Sequence, residues 1–403
     1  MKSYLDLVPQ YEKVHRKQSK MSRICIILAV FLVAVMFGLA DMYLQGITQK
    51  VMQENGDWHY QITSIDTKTS DLIAARPEVE VSGWHSTISA DAGYSISGQP
   101  IAISGLDEDV FGEIYLASLA EGKYPNAANE IAVSSVLKES NDLDLGSVID
   151  LTCPDGSTVS FSIVGFFDNP EKARLIVGSE QSVILAQEGF TTFISASNSP
   201  ASEKYIIQLS QHCDMSSTIE KIKSQYSLSD GQIEANMNLL NIEGQLAGKT
   251  GVNQIYSIAL ILSIIVMLTC ILMISSTLNS NVTQRTEFFG MLRCLGATKK
   301  QIMNFVRLEG LYWCKTAIPA GVALSIVVVW VTSAAMRKIS PQWFAYMPTW
   351  GISWISIAVS VLLGLLTVLL AARTPAKKAA KSSPLEAVSG NAQQTTMFRK
   401  AAN

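Results

Sequence analysis

Histidine and cysteine are scarce in this chain, which has four histidines and six cysteines among its 403 residues. The histidines form no HExxH pair and the cysteines show neither CxxC nor CxxH spacing, so no metal centre is expected. Only Cys153 and Cys213 fall in a long polar segment of the sequence. An oxidising exterior would permit a disulfide between them, but without any other cysteine framework two unpaired thiols are an equal alternative.

An intact phosphate-binding loop is also missing. Residues 244–250, with the sequence GQLAGKT, place three residues between their two glycines, whereas a nucleotide-binding loop requires four. The segment precedes a hydrophobic stretch, so we expect a hinge there. No carboxylate pair or Ser/His/Asp set is identifiable by motif, and the chain is predicted not to be an enzyme.

Charge is missing from four long stretches of this chain, in which 48% of the residues are apolar. A transmembrane helix needs about 20 predominantly apolar residues. The uncharged runs, at residues 24–40, 250–284, 316–336 and 339–372, therefore predict membrane-spanning helices at residues 24–44, 252–279, 312–336 and 351–372. A cleaved signal peptide is the alternative for the first helix. However, the basic region of 23 residues before it is long for a signal, and residues 38–42 offer no convincing small-x-small cleavage site, so we expect the helix to be retained.

Lysine and arginine are concentrated in three segments, and each segment holds six basic residues: 1–23, 285–315 and 373–403. The segment 41–250 instead contains 29 acidic and 11 basic residues. Basic segments next to membrane spans stay on the cytoplasmic side. The predicted cytoplasmic parts are an amphipathic N-terminal segment at 1–23, a helical elbow at 280–309 and a basic tail at 373–403. The predicted external parts are a domain at 45–250 and a short loop at 337–350.

The external segment has the pattern of a mixed domain. Near both of its ends, at residues 58–81 and 205–235, a short extended run is followed by an amphipathic helix and a second extended run. The middle, about residues 94–199, is rich in short β-branched runs separated by glycine and proline. The predicted fold class is a membrane α-helical protein with four transmembrane helices and an α+β extracytoplasmic domain, made of a split α/β subdomain and an inserted β-rich subdomain.

The cytoplasmic elbow has a helix-turn-helix pattern. Apolar residues at i, i+3, i+4 and i+7 predict one apolar helical face: Phe288, Met291, Leu292 and Leu295. Arg285 and Arg293 are then expected to face water or a partner. Gly296 can end the first helix in a left-handed cap, and the TKKQ sequence at 298–301 fits a capping box that opens the second. The basic, amphipathic pattern of the elbow is also compatible with a second interpretation, a solvated connector that lies on the surface of a membrane with anionic lipid.

Three parts of the sequence resemble one kind of transporter subunit. Five short motifs occur in order in the external segment: GLD at 105–107, LAEGKYP at 119–125, NEIAVS at 129–134, LGSVI at 145–149 and FSIVG at 161–165. This series resembles the extracytoplasmic core domain of MacB-type ABC transporter permeases. The elbow sequence RTEFFGMLRCLGATKKQI at 285–302 is similar to the signature of the FtsX-like permease domain, and RTPAKKAAKSSPLEA at 373–387 resembles that family's ending.

In that family the cytoplasmic loop acts as a coupling helix that seats on an ATP-binding subunit. The resemblance therefore implies that the ATPase contacts are made by Glu287, Gly290, Leu292, Arg293, Leu295 and Gly296. The sequence departs from the family at Phe288 and Phe289, where a smaller aliphatic pair is more frequent, and at Cys294. The resemblance implies no cofactor in this chain, with ATP and Mg²⁺ bound by the partner ATPase.

The resemblance further implies a multi-pass permease subunit in a bacterial cytoplasmic membrane, with both termini in the cytoplasm. Two permease chains, as a homodimer or a heterodimer, would sit on two ATPase subunits. ATP hydrolysis is then expected to move the extracytoplasmic domain for export or extraction of an amphiphilic substrate such as an antimicrobial peptide. An FtsX-like regulator of a cell-wall hydrolase is one alternative, and a membrane-anchored sensor or adhesion module without an ATPase is another.

Overall fold

A computed structural model describes residues 16–197, 201–244 and 251–381 of the chain. Parts of the predicted N-terminal segment, hinge and tail, at residues 1–15, 245–250 and 382–403, lie outside the described residues. The α-helices are α1 (Arg16–Asn55), α2 (Thr67–Ala74), α3 (Ser135–Asn141), α4 (Pro170–Val177), α5 (Gln187–Ser197), α6 (Met215–Tyr226), α7 (Met237–Ile242), α8 (Gly251–Gln284), α9 (Thr286–Cys294), α10 (Lys299–Ile339), α11 (Pro341–Phe344), α12 (Trp354–Ala371) and α13 (Arg373–Ala380).

The strands of the described residues form one mixed sheet. They are β1 (Tyr60–Thr63), β2 (Val79–Ile88), β3 (Ser95–Ile96), β4 (Gln99–Pro100), β5 (Ala102–Leu106), β6 (Glu121–Gly122), β7 (Glu130–Ser134), β8 (Val148–Thr152), β9 (Thr158–Phe167), β10 (Ser182–Ala186), β11 (Ser202–Leu209) and β12 (Ile233–Ala235). Their order is β12-β1-β11-β2-β5-β10-β7-β9-β8-β3-β4, and β6 pairs with β9. The pairs β5/β10 and β7/β9 are parallel, and the other pairs are antiparallel.

The chain divides into two compact units: a helical unit of residues 1–46 and 254–403, and an α/β unit of residues 47–253. In the α/β unit, strands from the two ends of the segment lie side by side, because Tyr60 of β1 is opposite both Ile207 of β11 and Ala235 of β12. Helices α2 and α6 contribute Ile73 and Ile219 to the core that covers these strands. The predicted split α/β layer is therefore confirmed.

Strands of the predicted β-rich insert continue the same sheet. Successive residues of a strand point to opposite faces, and β5 accordingly sends Ala102 and Ile103 into two different apolar cores. Phe190 of α5 packs in one of these cores, and Phe111 of a short π-helix at Val110–Ile114 packs in the other. The sequence had predicted the longer strands of the insert, but not the two-residue strands β3, β4 and β6 or the helices α3, α4 and α5.

Four helices of the described residues are long and apolar enough to cross a membrane, as judged by length and composition: Lys20–Asn55, Gln254–Gln284, Lys299–Ile339 and Trp354–Ala380. The four-helix prediction is confirmed. One cluster joins all four, with Cys25 of α1, Ile274 of α8, Trp313 of α10 and Val368 of α12 packed together. Gly321 of α10 permits close contact with α1, because a Cβ there would lie 2.9 Å from the Ile27 carbonyl oxygen.

Cys153 and Cys213 are both free thiols and belong to different cores of the α/β unit. Of the two alternatives that the sequence left open, the structure has the unpaired one. The α/β unit is therefore held by its sheet and cores and not by a covalent bridge.

Candidate functional site

The elbow, residues 285–301, is a short helix followed by a turn into a long one. Helix α8 ends at Gln284, and α9 begins at Thr286, so that Arg285 alone separates the two helices. Gly296 has a φ of +93°, and the Ala297 N–H donates to the Leu292 carbonyl at 3.0 Å, so the left-handed cap is confirmed. Thr298 and Gln301 form both bonds of the predicted capping box at the start of α10.

The buried side of the elbow is an aromatic cluster. The rings of Phe288, Phe289 and Phe305 lie with their centroids 5.5 to 6.3 Å apart, a spacing typical of interacting aromatic pairs. Phe289 is almost fully buried, whereas Met291 is 54% exposed and Leu295 is 85% exposed. On the apolar face predicted for α9, Met291 and Leu295 are therefore exposed. Helix α9 packs through Phe289, with Phe288 and Leu292 partly buried beside it.

Arg285 is also placed differently from its prediction. The sequence indicated a side chain facing water or a partner, but the guanidinium of Arg285 is buried and donates to Glu309 Oε1 at 2.7 Å. Both side chains of this pair are nearly inaccessible to water. Loss of one partner from a buried ion pair costs about 3–5 kcal/mol, because the other charge stays buried. The pair therefore fixes the start of the elbow to the third turn of α10.

The six residues predicted to contact an ATPase lie in three kinds of environment. Glu287, Leu295 and Gly296 are exposed, Leu292 and Arg293 are half-buried, and Gly290 is buried. A cavity of about 290 Å³ opens beside them and is lined by Leu292, Leu295, Gly296, Ala297, Gln301, Ile302 and Phe305. Lys299 and Lys300 at the start of α10 are exposed near this cavity. The elbow thus presents a mostly apolar hollow with a basic edge.

Helix α13 of the C-terminal segment completes the elbow. Its residues Ala376, Ala379 and Ala380 pack in the same cluster as Phe289 and Phe305. The Lys378 amine donates to the Thr283 hydroxyl at 3.0 Å. The sequence marked this segment only by its resemblance to a family ending. The alanines at i, i+3 and i+4 are a weak signal that, taken as an apolar stripe, could have indicated the packing.

The α/β unit contains a group of possible metal ligands that the sequence did not indicate. Asp57, His59 and Glu243 place one ligand atom each within 4.8 Å of one another. However, the Leu209 N–H donates to His59 Nδ1 at 2.8 Å, and His59 Nε2 lies 2.9 Å from Glu243 Oε2. Because Nδ1 is an acceptor, the neutral ring carries its proton on Nε2 and donates it to Glu243.

A metal ion would need the lone pair of the His59 Nε2 atom, which this tautomer does not provide. The geometry therefore favours a hydrogen-bonded clamp over a metal site. The clamp joins residues that follow α1 to residues that precede α8. Asp57 lies beside it, and burial raises the pKa of this carboxyl above its usual range, with the neighbouring His59 acting in the opposite direction.

Comparisons with known proteins cover both units. Residues 22–225 match the family model of the MacB-like periplasmic core domain, and residues 260–384 match that of the FtsX-like permease C-terminal. An uncharacterized ABC transporter permease protein of Mycobacterium tuberculosis is 29% identical over 129 residues, which are 30% of this chain and 15% of that protein. The chain thus spans a small part of the length of this curated relative.

Two solved structures are similar to parts of the chain. The periplasmic region of MacB from Actinobacillus actinomycetemcomitans is 8% identical, with a TM-score of 0.36 over 51% of this chain and 100% of that one. The extracellular domain of the noncanonic ABC-type transporter YknZ from Gram-positive bacteria is 9% identical, with a TM-score of 0.32 over 44% and 98%. With one family model covering half of the sequence and a second covering most of the remaining helices, the chain belongs to the MacB/FtsX-type family of ABC transporter permeases.

Proposed function

We propose that this chain is the permease subunit that couples ATP hydrolysis by a separate cytoplasmic ATPase to movement of its α/β unit. The observation that carries the proposal is the two-sided construction of the elbow. On one side, the Arg285–Glu309 pair and the aromatic cluster fix α9 to α10. On the other side, Met291 and Leu295 expose apolar surface among the residues that the structure describes. A rigid element with an uncovered apolar face is suited to receive force from a soluble partner.

Helix α10 gives that force a direct path. It begins at the capping box of the elbow and continues without interruption for 41 residues, to Ile339. At 1.5 Å per residue its length is about 60 Å, which exceeds the thickness of a bilayer's hydrocarbon core. A displacement of the elbow would therefore tilt or shift a helix that crosses the whole membrane. The proposed partners are an ATPase dimer that binds ATP and Mg²⁺, and a second permease chain.

The proposed cargo is an amphiphilic molecule such as an antimicrobial peptide. No Asp, Glu, Lys or Arg occurs between Lys249 and Arg285 or between Lys338 and Arg373, so these spans offer no charged path for a polar substrate. The segment 41–250 has 29 acidic against 11 basic residues, and this charge would attract a cationic amphiphile. We therefore infer that movement of the α/β unit acts on cargo outside the bilayer.

The contact with the ATPase can be tested by co-purification. The chain would be expressed in its native host, and the ABC ATPase that it retains in detergent would be measured for Leu295→Ala and Arg293→Ala. Removing an interface anchor typically costs 1–2 kcal/mol or more, so we expect about 5- to 30-fold weaker retention with the fold intact. Ile339→Ala is the matched control, because Ile339 is 80% exposed at the other end of α10.

Equal retention in Leu295→Ala, Arg293→Ala and Ile339→Ala would contradict the proposed contact. If the unaltered chain retains no ATPase, the chain is a sensor or adhesion module instead. If the complex forms and the α/β unit also binds a cell-wall hydrolase, the chain is a regulator of that hydrolase and not an exporter. Protection of cells from a cationic peptide, dependent on both subunits, is the result expected for export.

A further inference from the structure

The end of α1 is unusually well supplied with hydrogen-bond donors. A helix leaves its last four carbonyl groups without intrahelical partners. Here the Met52 carbonyl accepts from the Gly56 N–H at 2.9 Å, and the Asn55 carbonyl accepts from the Trp58 indole at 2.7 Å. The Gln53 carbonyl accepts from the Lys172 amine at 2.8 Å. The first two donors are local in sequence, whereas Lys172 is 119 residues away from Gln53.

Lys172 is held firmly in place by its own helix. It lies in the first turn of α4, where the Asn169 side chain accepts from the backbone N–H groups of Glu171 and Lys172. Its residue is only 5% exposed, and its amine also donates to the Tyr115 carbonyl at 2.7 Å. Within the part of the chain that the structure describes, no carboxylate forms an ion pair with this amine. Burial lowers the pKa of Lys172 below its usual value.

A buried lysine without a carboxylate partner is costly, and an apolar side chain could fill the same volume at lower cost. Two interactions offset this cost. The ammonium group satisfies two backbone carbonyls from different segments, and it lies at the negative end of a long helix dipole, where a cation is favoured. Lys172 therefore joins three segments: the end of α1, the turn at Tyr115 and the start of α4.

The backbone around Lys172 allows little alternative placement of the helix end. Gly56 follows α1 with a φ of +85°, and a Cβ there would lie 3.0 Å from the Trp58 ring and 3.2 Å from the Tyr115 ring. The Asp57 N–H donates to the Ile114 carbonyl at 2.6 Å. The chain thus turns directly against Tyr115, at the point that Lys172 holds from the other side.

We propose that Lys172 is a positioning residue that locks the last turn of α1, which belongs to the α/β unit, to the turn at Tyr115 and to α4, so that these parts of the unit move as one body. The inference rests on the proposed coupling function, because a lock of this kind transmits a displacement of α1 without loss. Without the lysine, α1 could shift while the sheet of the α/β unit stayed in place.

The local lock can be tested without an ATPase. Hydrogen exchange of the full chain in lipid nanodiscs would be measured for Lys172→Met, with Lys123→Met as the control. Lys123 pairs with Glu130 at 3.0 Å but is 63% exposed. We expect exchange at the amides of residues 53–58 to rise about tenfold or more in Lys172→Met alone, with sheet amides unchanged. Unchanged exchange at the helix end would overturn the inference.

If Lys172→Met loses protection throughout the α/β unit, the same measurement on Lys172→Gln distinguishes a positioning role from a general stabilising role. Glutamine keeps an N–H₂ donor of shorter reach, so a smaller rise confined to residues 53–58 is expected. A rise spread evenly over the α/β unit in both variants would mean that Lys172 only stabilises the domain, and this would overturn the positioning role.

The link to coupling is tested by electron–electron resonance distances between two copies of the chain, with the ATPase present. The spin label is placed at Lys221→Cys, an exposed position of α6, in a background with Cys213→Ser and Cys294→Ser. We expect ATP to change this distance in the background chain and in Lys123→Met, but not in Lys172→Met, with ATPase retention equal in all three.

Two other results separate the hypotheses. A full ATP-dependent change in Lys172→Met would overturn the positioning role and leave the proposed function standing. No change in the background chain would overturn the proposed function, and the exchange measurement would still decide whether Lys172 locks the helix end.

Discussion

At the scale of residues, His85 is a buried histidine kept neutral by its neighbours. The Tyr115 hydroxyl lies 2.7 Å from its Nδ1, and the Ser104 hydroxyl lies 3.1 Å from its Nε2. Ser104 donates its own proton to the Ser86 carbonyl, so it accepts from the ring. Burial, assisted by the positive charge of Lys204, lowers the pKa of His85 from 6.5 to about 4.

This shift predicts that the α/β unit loses stability as the pH falls from about 6.5 to about 4. In that range the unfolded chain binds a proton on His85 that the folded chain does not, so the free energy of unfolding decreases with falling pH and is fully retained above 6.5. The loss is about 3 kcal/mol, at about 1.4 kcal/mol per pH unit. The measurement is the unfolding midpoint of the full chain in detergent at pH 7 and pH 4.5.

Substitution of the histidine isolates its share of the effect. The variant His85→Gln should show a smaller decrease between the two pH values than the unaltered chain. The exposed His212 provides the control, because His212→Gln should keep the full decrease. An equal decrease in all three proteins would refute the assignment to His85.

The sequence could not reveal the buried Arg285–Glu309 ion pair or the buried hydrogen bond of His59, because each depends on a residue far along the chain. Arg285 lies in a charged segment between two spans, where local pattern favours exposure. Its partner Glu309 is 24 residues away, and only the packing of α9 on α10 brings the two together. His59 and Glu243 are separated by 184 residues, so no spacing rule could join them. The family resemblance indicated the elbow as the candidate site of ATPase contact, but it did not indicate which residues of the elbow are buried.

At the scale of elements, the elbow depends on the turn that separates α9 from α10. Gly296 adopts a φ of +93° in open space, since a Cβ there would meet no atom within 4 Å. Substitution by alanine would therefore act through the backbone alone, and the left-handed conformation costs an ordinary residue about 1–2 kcal/mol. The cap is expected to loosen, while the spans stay folded.

The prediction for Gly296→Ala is faster cleavage by trypsin after Arg293 and Lys299 in the detergent-solubilised chain. Gly231→Ala serves as the matched control, because a Cβ at Gly231 also meets nothing within 4 Å and the residue has no left-handed φ. Cleavage rates that are the same in both variants would show that the turn does not need this conformation.

Short-range chemistry made some elements predictable and left others hidden. The left-handed glycine and the capping box are local motifs, and both were predicted correctly around the elbow. The apolar face of α9 was predicted from spacing alone, and spacing did not show which residues pack inside. The adjacent pair Phe288 and Phe289 packs against α10, while Met291 and Leu295 are exposed. Helices α3 and α4 were missed because they have only seven and eight residues, too few to show a helical period.

At the scale of the whole molecule, uncharged length was sufficient to predict the four membrane helices. The repeated order of extended run and helix at both ends of the external segment was sufficient to predict the split layer. It did not predict that the insert extends the same sheet, because strand register and the parallel pairs β5/β10 and β7/β9 depend on contacts between distant segments. The division into two units follows from the sequence, and the way that Lys172 holds the end of α1 does not.

The proposed coupling requires that the elbow and the α/β unit lie on opposite sides of the membrane. A membrane-impermeant maleimide on intact spheroplasts tests this in a chain with Cys213→Ser and Lys221→Cys, using the native, exposed Cys294 of the elbow. We predict that position 221 is labelled in intact spheroplasts, and that Cys294 is labelled only after the membrane is permeabilised. Labelling of Cys294 from outside, with the membrane intact, would contradict the proposed coupling between a cytoplasmic ATPase and an external domain.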